Sequence, residues 1–169
     1  MVSLPGLTAT HLAHRTVSMS KVIITPYEPD VLMDMVAVWR NSFQHGVGII
    51  DPHPAEGLRN YFLSEVLPNH EVRLAMAGPE VVGVLASSAT SVAALYVRVD
   101  HIGQGIGSIL IETAKRQSSG SLWLYTFAQN QNARRFYKKH GFAEVAHGFE
   151  PNWQLDDVRL EWPGHTGTV

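Results

Sequence analysis

Apolar and polar positions along the chain change period several times, and each change marks an element. Residues 21–25 (KVIIT) are a short β-branched run and predict a first strand. Pro26 and Pro29 mark a helix entry, with Asp30 available for the first turn. Over 31–43, Leu32, Met35, Val36, Trp39 and Phe43 recur at i, i+3, i+4 spacing, which predicts an amphipathic helix with that stripe in the core. Residues 44–54 (QHGVGIIDPHP) are broken by glycines and prolines and read as a loop. A second helix is predicted over 55–67, with Leu58, Tyr61, Phe62 and Val66 on one side and Pro68-Asn69 as its stop. Residues 71–77 and 80–87 read as strands around Gly78-Pro79, a hairpin connection, and 91–99 makes a third antiparallel strand.

The central stretch, 94–142, then alternates. A strand-like run at 95–99 leads into the glycine turn Gly103-Gln104-Gly105-Ile106-Gly107 and a helix-like run over 108–117. A strand at 122–127 and a helix holding Tyr137 follow, ending near Gly141-Phe142. Two last strands, 143–150 and 153–162, are separated by Pro151-Asn152, a closing hairpin. The order β-α-α-β-β-β-α-β-α-β-β predicts an α+β fold, a mixed sheet with helices on its faces. Residues 1–20 keep no steady period and read as a weakly ordered extension, with Met19 an alternative start; 163–169 read as a polar tail. The expected organisation is one domain over 21–162, with no internal repeat.

Composition narrows the classes. At 169 residues with 45% hydrophobic and 17% charged positions, the chain can bury a proper core. A formal net charge of −2 gives no electrostatic case for nucleic acid. The absence of cysteine excludes disulfides, thiolate zinc sites and a catalytic thiol. No apolar run approaches the roughly 18 residues that span a bilayer, and no apolar signal-peptide core opens the chain, so a cytoplasmic protein without a membrane partner is expected.

Strand, glycine turn and helix together form a device for holding phosphate. Gln104, Gly105, Gly107 and Ser108 would present backbone N–H groups at a helix start, where the helix dipole also favours an anion. On its own the turn also reads as a plain glycine-rich helix entry. Two nucleotide motifs fail on single positions. A Rossmann fingerprint needs glycine three after Gly105, where Ser108 stands, and a P-loop needs a lysine that no position here supplies.

The glycine turn and its strand, paired with Asn130-Gln131-Asn132-Ala133-Arg134-Arg135-Phe136-Tyr137 and Gly141-Phe142 about 25 residues downstream, strongly resemble the GNAT family of acetyl-CoA-dependent N-acetyltransferases. The element order resembles that fold from about residue 21 to 162. The resemblance implies a mostly antiparallel, six- to seven-stranded mixed sheet flanked by about four helices, with splayed strands holding coenzyme A. It implies that the turn amides take the pyrophosphate and that the strand backbone at Val97 and Val99 takes the pantetheine arm. It also implies that Asn130 and Ala133 border the cofactor, and that Tyr137 is the general acid for the departing thiolate. Without it, Val97, Val99 and Tyr137 read as core, Asn130 as a helix cap, and Arg134 and Arg135 as either phosphate ligands or a solvated helix face. The family usually has Gln or Arg where this chain has Ile102, so the cradle is expected to rest on backbone.

The implied reaction is direct attack of a small-molecule or peptide amine on acetyl-CoA in a ternary complex, with no metal. The strand that often carries an acidic base in such enzymes reads Ser91-Val92-Ala93-Ala94, without a carboxylate. His45 and Asp51, in the predicted 44–54 loop, are the remaining base candidates; histidine is a residue type suited to proton transfer, although a surface-loop histidine is the plainer reading. A metal site from His45, Asp51 and His53 matches no known ligand spacing. The competing classes are a GNAT-fold module that binds acyl-CoA without turnover and a nucleotide-binding protein. A homodimer is compatible with the fold but has no sequence signature.

Overall fold

The computed structural model describes residues 21–165; the predicted extension at 1–20 and the last four positions lie outside them. Seven strands and four α-helices follow in the expected order. They are β1 (Val22–Pro26), α1 (Leu32–Val47), α2 (Ala55–Tyr61), β2 (Glu71–Ala77), β3 (Glu80–Ser87) and β4 (Val92–Val97), then α3 (Ile106–Gln117), β5 (Leu122–Phe127), α4 (Gln131–Lys139), β6 (Ala143–Glu150) and β7 (Leu155–Trp162). Among the described residues no helix is long and apolar enough to cross a membrane.

The strands do not form one continuous sheet. Antiparallel β1-β2-β3-β4 and antiparallel β5-β7-β6 meet only where β4 and β5 begin, through the parallel bridge Ser91–Trp123 and the Trp123 amide donating to Thr90 O at 3.0 Å. Beyond that point β4 and β5 diverge, and the gap between them is the cleft of the molecule. Two cores lie on opposite faces. One packs α3, Tyr137 and Phe142 against Leu122, Leu124, Val158 and Leu160; the other packs α1 and Phe62 against Leu74, Val84 and Ala94.

Two helices depart from their predicted form. The helix predicted to stop at Phe43 runs on to Val47 and is closed by Gly48 at φ 78°, because the chain tolerates Gly46 within it. The second predicted helix is α-helical only to Tyr61. A π turn, Phe62–Val66, completes it with the Leu67 amide donating to Phe62 O. This wider turn lets both Phe62 and Val66 reach the core, while Tyr61 stays exposed. Phe62 is 0% exposed and meets Tyr27 edge-on at 5.2 Å and Trp39 at 6.5 Å. Phe62→Ala should therefore cost about 3–5 kcal/mol of stability, read as a lowered urea midpoint.

Candidate active site

The cleft between β4 and β5 encloses about 820 Å³. Its first wall is the free edge of β4. The Arg98 amide donates to Val82 O at 2.9 Å, and the ladder pairs Tyr96 with Val84 and Ala94 with Ala86. By antiparallel alternation the amides of Ala94, Tyr96 and Arg98 face β3, so those of Leu95 and Val97 face the opening. The strand edge is thus available for an extended ligand to add to, over Leu95 to Val97. Val99 is not part of it. The predicted strand ends two residues early, and Val99, which opens a 3-10 turn, Val99–His101, does not line the cleft, although His101 does. The backbone pair exposed on the strand edge is Leu95 and Val97, whereas Val99, expected there, lies past the end of the strand.

The second wall is the start of α3. Gly105 is its N-cap at φ 85°, without a side-chain cap, and the first backbone bond into the helix is the Ile109 amide to Gly105 O. The preceding amides therefore lack intrahelical acceptors. Gly105, Gly107 and Ser108 line the cleft; Gln104 does not, and its side chain turns back toward Asp100 O at 3.5 Å. Gly107 suits the packing: a Cβ there would come 3.1 Å from the Phe136 ring, which would have to give by a few tenths of an ångström. Ile102 is exposed at the rim and brings no polar group to the cradle.

Helix α4 forms the third wall. Asn130 caps it, its Oδ1 accepting from the Ala133 amide at 3.1 Å. The Asn130 amide group lies against α1, where a Cβ at Gly46 would stand 2.7 Å from Nδ2; Gln129 Nε2 also donates to Val47 O at 2.6 Å. The end of α1 is thereby tied across the cleft to α4, and this explains a glycine inside a helix. Ala133 and Tyr137 face the cleft one turn apart. Arg134 does not: it forks onto Glu144 at 2.6 Å and donates to Ala128 O, while Arg135 is held by Asn132. Lys139, His101 and His45 are the basic side chains that line the cleft.

Tyr137 is 7% exposed, ringed by Phe136 and Phe142, and its side chain makes no hydrogen bond within the described residues. Burial, with the neighbouring Tyr96 adding to it, pushes its phenol well above the usual value of 10, so it is protonated at neutral pH. Tyr96 lines the same cleft, stacks on Trp39 at 5.1 Å, and is pushed up to about 12 by burial.

His45 also lines the cleft, but from the last turn of α1 rather than from a loop. Asp51 does not. It accepts from the His53 amide and ring at 2.8 and 2.9 Å and pairs with Arg40 at 3.6 Å, so it fastens the α1–α2 loop. Among the described residues no cluster suited to a metal occurs.

Beneath the α3 cradle, His140 Nε2 lies 3.1 Å from Ser108 Oγ and Nδ1 lies 3.6 Å from Glu112. Burial first, then Lys115, pulls His140 below its ordinary 6.5, with Glu112 opposing. A base with a lowered folded value is protonated first in the unfolded chain. Stability is therefore full above about pH 6.5 and falls as pH drops toward the folded value. The melting midpoint should drop as pH falls below about 6.5, and drop less in His140→Gln. An equal drop in both would place the acid sensitivity elsewhere. Glu112, held low chiefly by Lys115, responds in a separate window below its ordinary 4.5.

Comparison with known proteins fits this geometry. Residues 68–144, which include β4, the glycine turn, α3 and α4, match the family profile described as "Acetyltransferase (GNAT) domain". Over this stretch the chain is similar to a GNAT acetyltransferase domain. It is 28% identical over 130 residues to the peptidyl-lysine N-acetyltransferase YjaB of Salmonella typhimurium, covering 76% of this chain and 85% of that protein. The solution structure of apo-form YjaB from Escherichia coli superposes with TM-score 0.71 at 23% identity, covering 86% of this chain and 99% of that one. PaiA N-acetyltransferase from Thermoplasma acidophilum, in complex with coenzyme A, superposes with TM-score 0.66 at 18% identity, covering 85% and 99%. These structural likenesses establish the α+β GNAT fold, and the family uses acetyl-CoA.

Sequence reasoning missed Leu95, Tyr96 and two carboxylates of the cleft, Glu150 and Asp157. The parity of β4 could have found Leu95. Asp157 sits in an alternating strand, where a polar residue reads as a solvated face.

Proposed function

We propose that this GNAT domain transfers the acetyl group of acetyl-CoA to a primary alkylamine, the side chain of a peptide lysine or a small amine of similar shape. The observation that carries the reading is the opening of β4 from β5. It leaves the Leu95 and Val97 edge free between the α3 amides at one end and buried Tyr137 at the other. Acetyl-CoA fits this run: pyrophosphate on the Gly105–Ser108 amides, pantetheine along the β4 edge beside Ala133, and the thioester near Tyr137. The lysine-acetylating relative supports a peptide amine as one acceptor class.

In the reaction the amine lone pair attacks the thioester carbonyl carbon, and the C–N bond forms as the C–S bond breaks. A β4 amide facing the cleft polarises the carbonyl oxygen. The sulfur leaves carrying the bonding electrons, the Tyr137 O–H donates a hydrogen bond to it as charge develops, and the thiolate takes up the proton that the attacking nitrogen sheds. The ammonium proton must be lost before attack. His45, which lines the α1 end of the same cleft, is the group this reading gives the proton to.

Purified protein incubated with acetyl-CoA and a panel of amines, with free thiol detected, tests the reading. Thiol release with an alkylamine is expected. Tight acetyl-CoA binding with no release from any amine would instead identify an acyl-CoA-binding module.

A further inference from the structure

The domain lacks a carboxylate on β4, yet its proposed acceptors arrive as cations. Two carboxylates line the cleft, Glu150 and Asp157. Glu150 is committed to the β6–β7 turn: one oxygen accepts from Asn152 at 2.8 Å and the other from the Trp153 amide at 2.7 Å. Asp157 is different. Among the described residues no cation pairs with it and no donor reaches its carboxylate. The neighbouring cation on its face of β7, Arg159, is drawn away by Glu161 at 3.0 Å and by the rings of Trp123 and Tyr125 at 4.8 and 5.9 Å.

Its position is built. Asp157 lies opposite Phe127 on β5 and Gly148 on β6. A Cβ on Gly148 would stand 2.6 Å from Asp157 Oδ1, so the glycine gives the carboxylate its room. Counted from the Ser91–Trp123 bridge, Phe127 is as far along β5 as Leu95 is along β4. Asp157 therefore stands one strand beyond the level of the free Leu95 amide. Phe127 packs edge-on with Phe43 at 5.8 Å, and both rings line the cleft with Tyr125. Aromatic walls hold an alkyl stem and tolerate a cation, while an unpaired, half-buried carboxylate gains most when a cation fills its place.

We infer that Asp157 is the specificity-determining residue that receives the protonated end of the acceptor, so that the domain prefers amines cationic at neutral pH over neutral amines of similar size. The inference rests on the transfer reading above. Docking of the ammonium on Asp157 precedes its deprotonation and brings the nitrogen to the cleft mouth beside the β4 edge.

The test compares two acceptors at saturating acetyl-CoA, Nα-acetyl-lysine methylamide as the alkylammonium and aniline as the neutral amine. In Asp157→Asn, kcat/KM for the lysine amide should fall about 30-fold, as expected for losing one partner of a partly desolvated charge pair. Aniline should change less than about threefold, and coenzyme A affinity should hold. Gly148→Ala, which swings the carboxylate aside without removing it, should reproduce the selective loss and guards against a folding defect in the first variant. Equal losses for both amines, no loss, or a wild-type preference for aniline would overturn the inference. Wild-type protein that binds acetyl-CoA but releases thiol with neither amine would overturn the transfer reading itself, a result distinct from all the others.

Discussion

Tyr137→Phe should lower turnover by about two orders of magnitude and leave coenzyme A affinity almost unchanged. The ring is buried against Phe136 and Phe142, and phenylalanine fills the same space, so the fold and cofactor wall should persist. What is lost is one O–H with no partner inside the described residues. A thiolate leaving with an unperturbed pKa of about 8.5 is a weaker base than the phenolate of Tyr137, whose acid is pushed above its usual 10. Full transfer to sulfur is therefore uphill, and in the proposed reaction the phenol acts mainly as a strong hydrogen-bond donor to charge that develops as the C–S bond breaks. Two consequences follow. The loss should appear in kcat and kcat/KM alike, and it should be constant between about pH 6 and about 9, because Tyr137 stays protonated throughout. Steady-state rates by thiol release and coenzyme A titration check both; unchanged turnover would remove Tyr137 from the chemistry.

Most of the frame was legible because long periodic runs determine their own structure. Strands β2, β3, β5 and β6 begin and end where alternation and turn residues place them, at 71–77, 80–87, 122–127 and 143–150. The departures come from contacts distant in sequence. Gly46 reads as a helix breaker, yet α1 continues through it because Asn130, 84 positions on, needs the space that a Cβ would occupy. The β-branched run to Val99 looks like continuous strand, but the hydrogen-bond partner that ends it, Val82, lies on another strand. The divergence of β4 from β5 leaves no mark in either strand's own pattern, and only the resemblance carried by the glycine turn and the Asn130–Tyr137 helix pointed to it. Asp157 was hidden for the opposite reason. Its polarity fits the strand alternation, and its lack of a partner is visible only once Arg159 is seen to face Glu161 and two rings.

Replacing Gly103 and Gly105 together by alanine should weaken coenzyme A binding about 100-fold. Both residues hold left-handed backbone, at φ 82° and 85°, and an added Cβ at either meets no atom within 4 Å. The penalty is therefore conformational rather than steric, about 1–2 kcal/mol for each L-residue forced into that region. In the free variant the turn relaxes to negative φ and its amides rotate away from the cleft. Binding the pyrophosphate must restore them, so the cost comes off cofactor affinity; whatever part the turn cannot relax appears as a lower melting temperature instead. Turnover at saturating acetyl-CoA should stay within about threefold, since Tyr137 and the β4 edge are untouched. A truncated donor decides the location. S-acetylpantetheine has no pyrophosphate, and the rate with it should be equal in variant and parent. Loss with both donors would mean that the turn supports the cleft as a whole, and no loss with either would move the pyrophosphate away from α3.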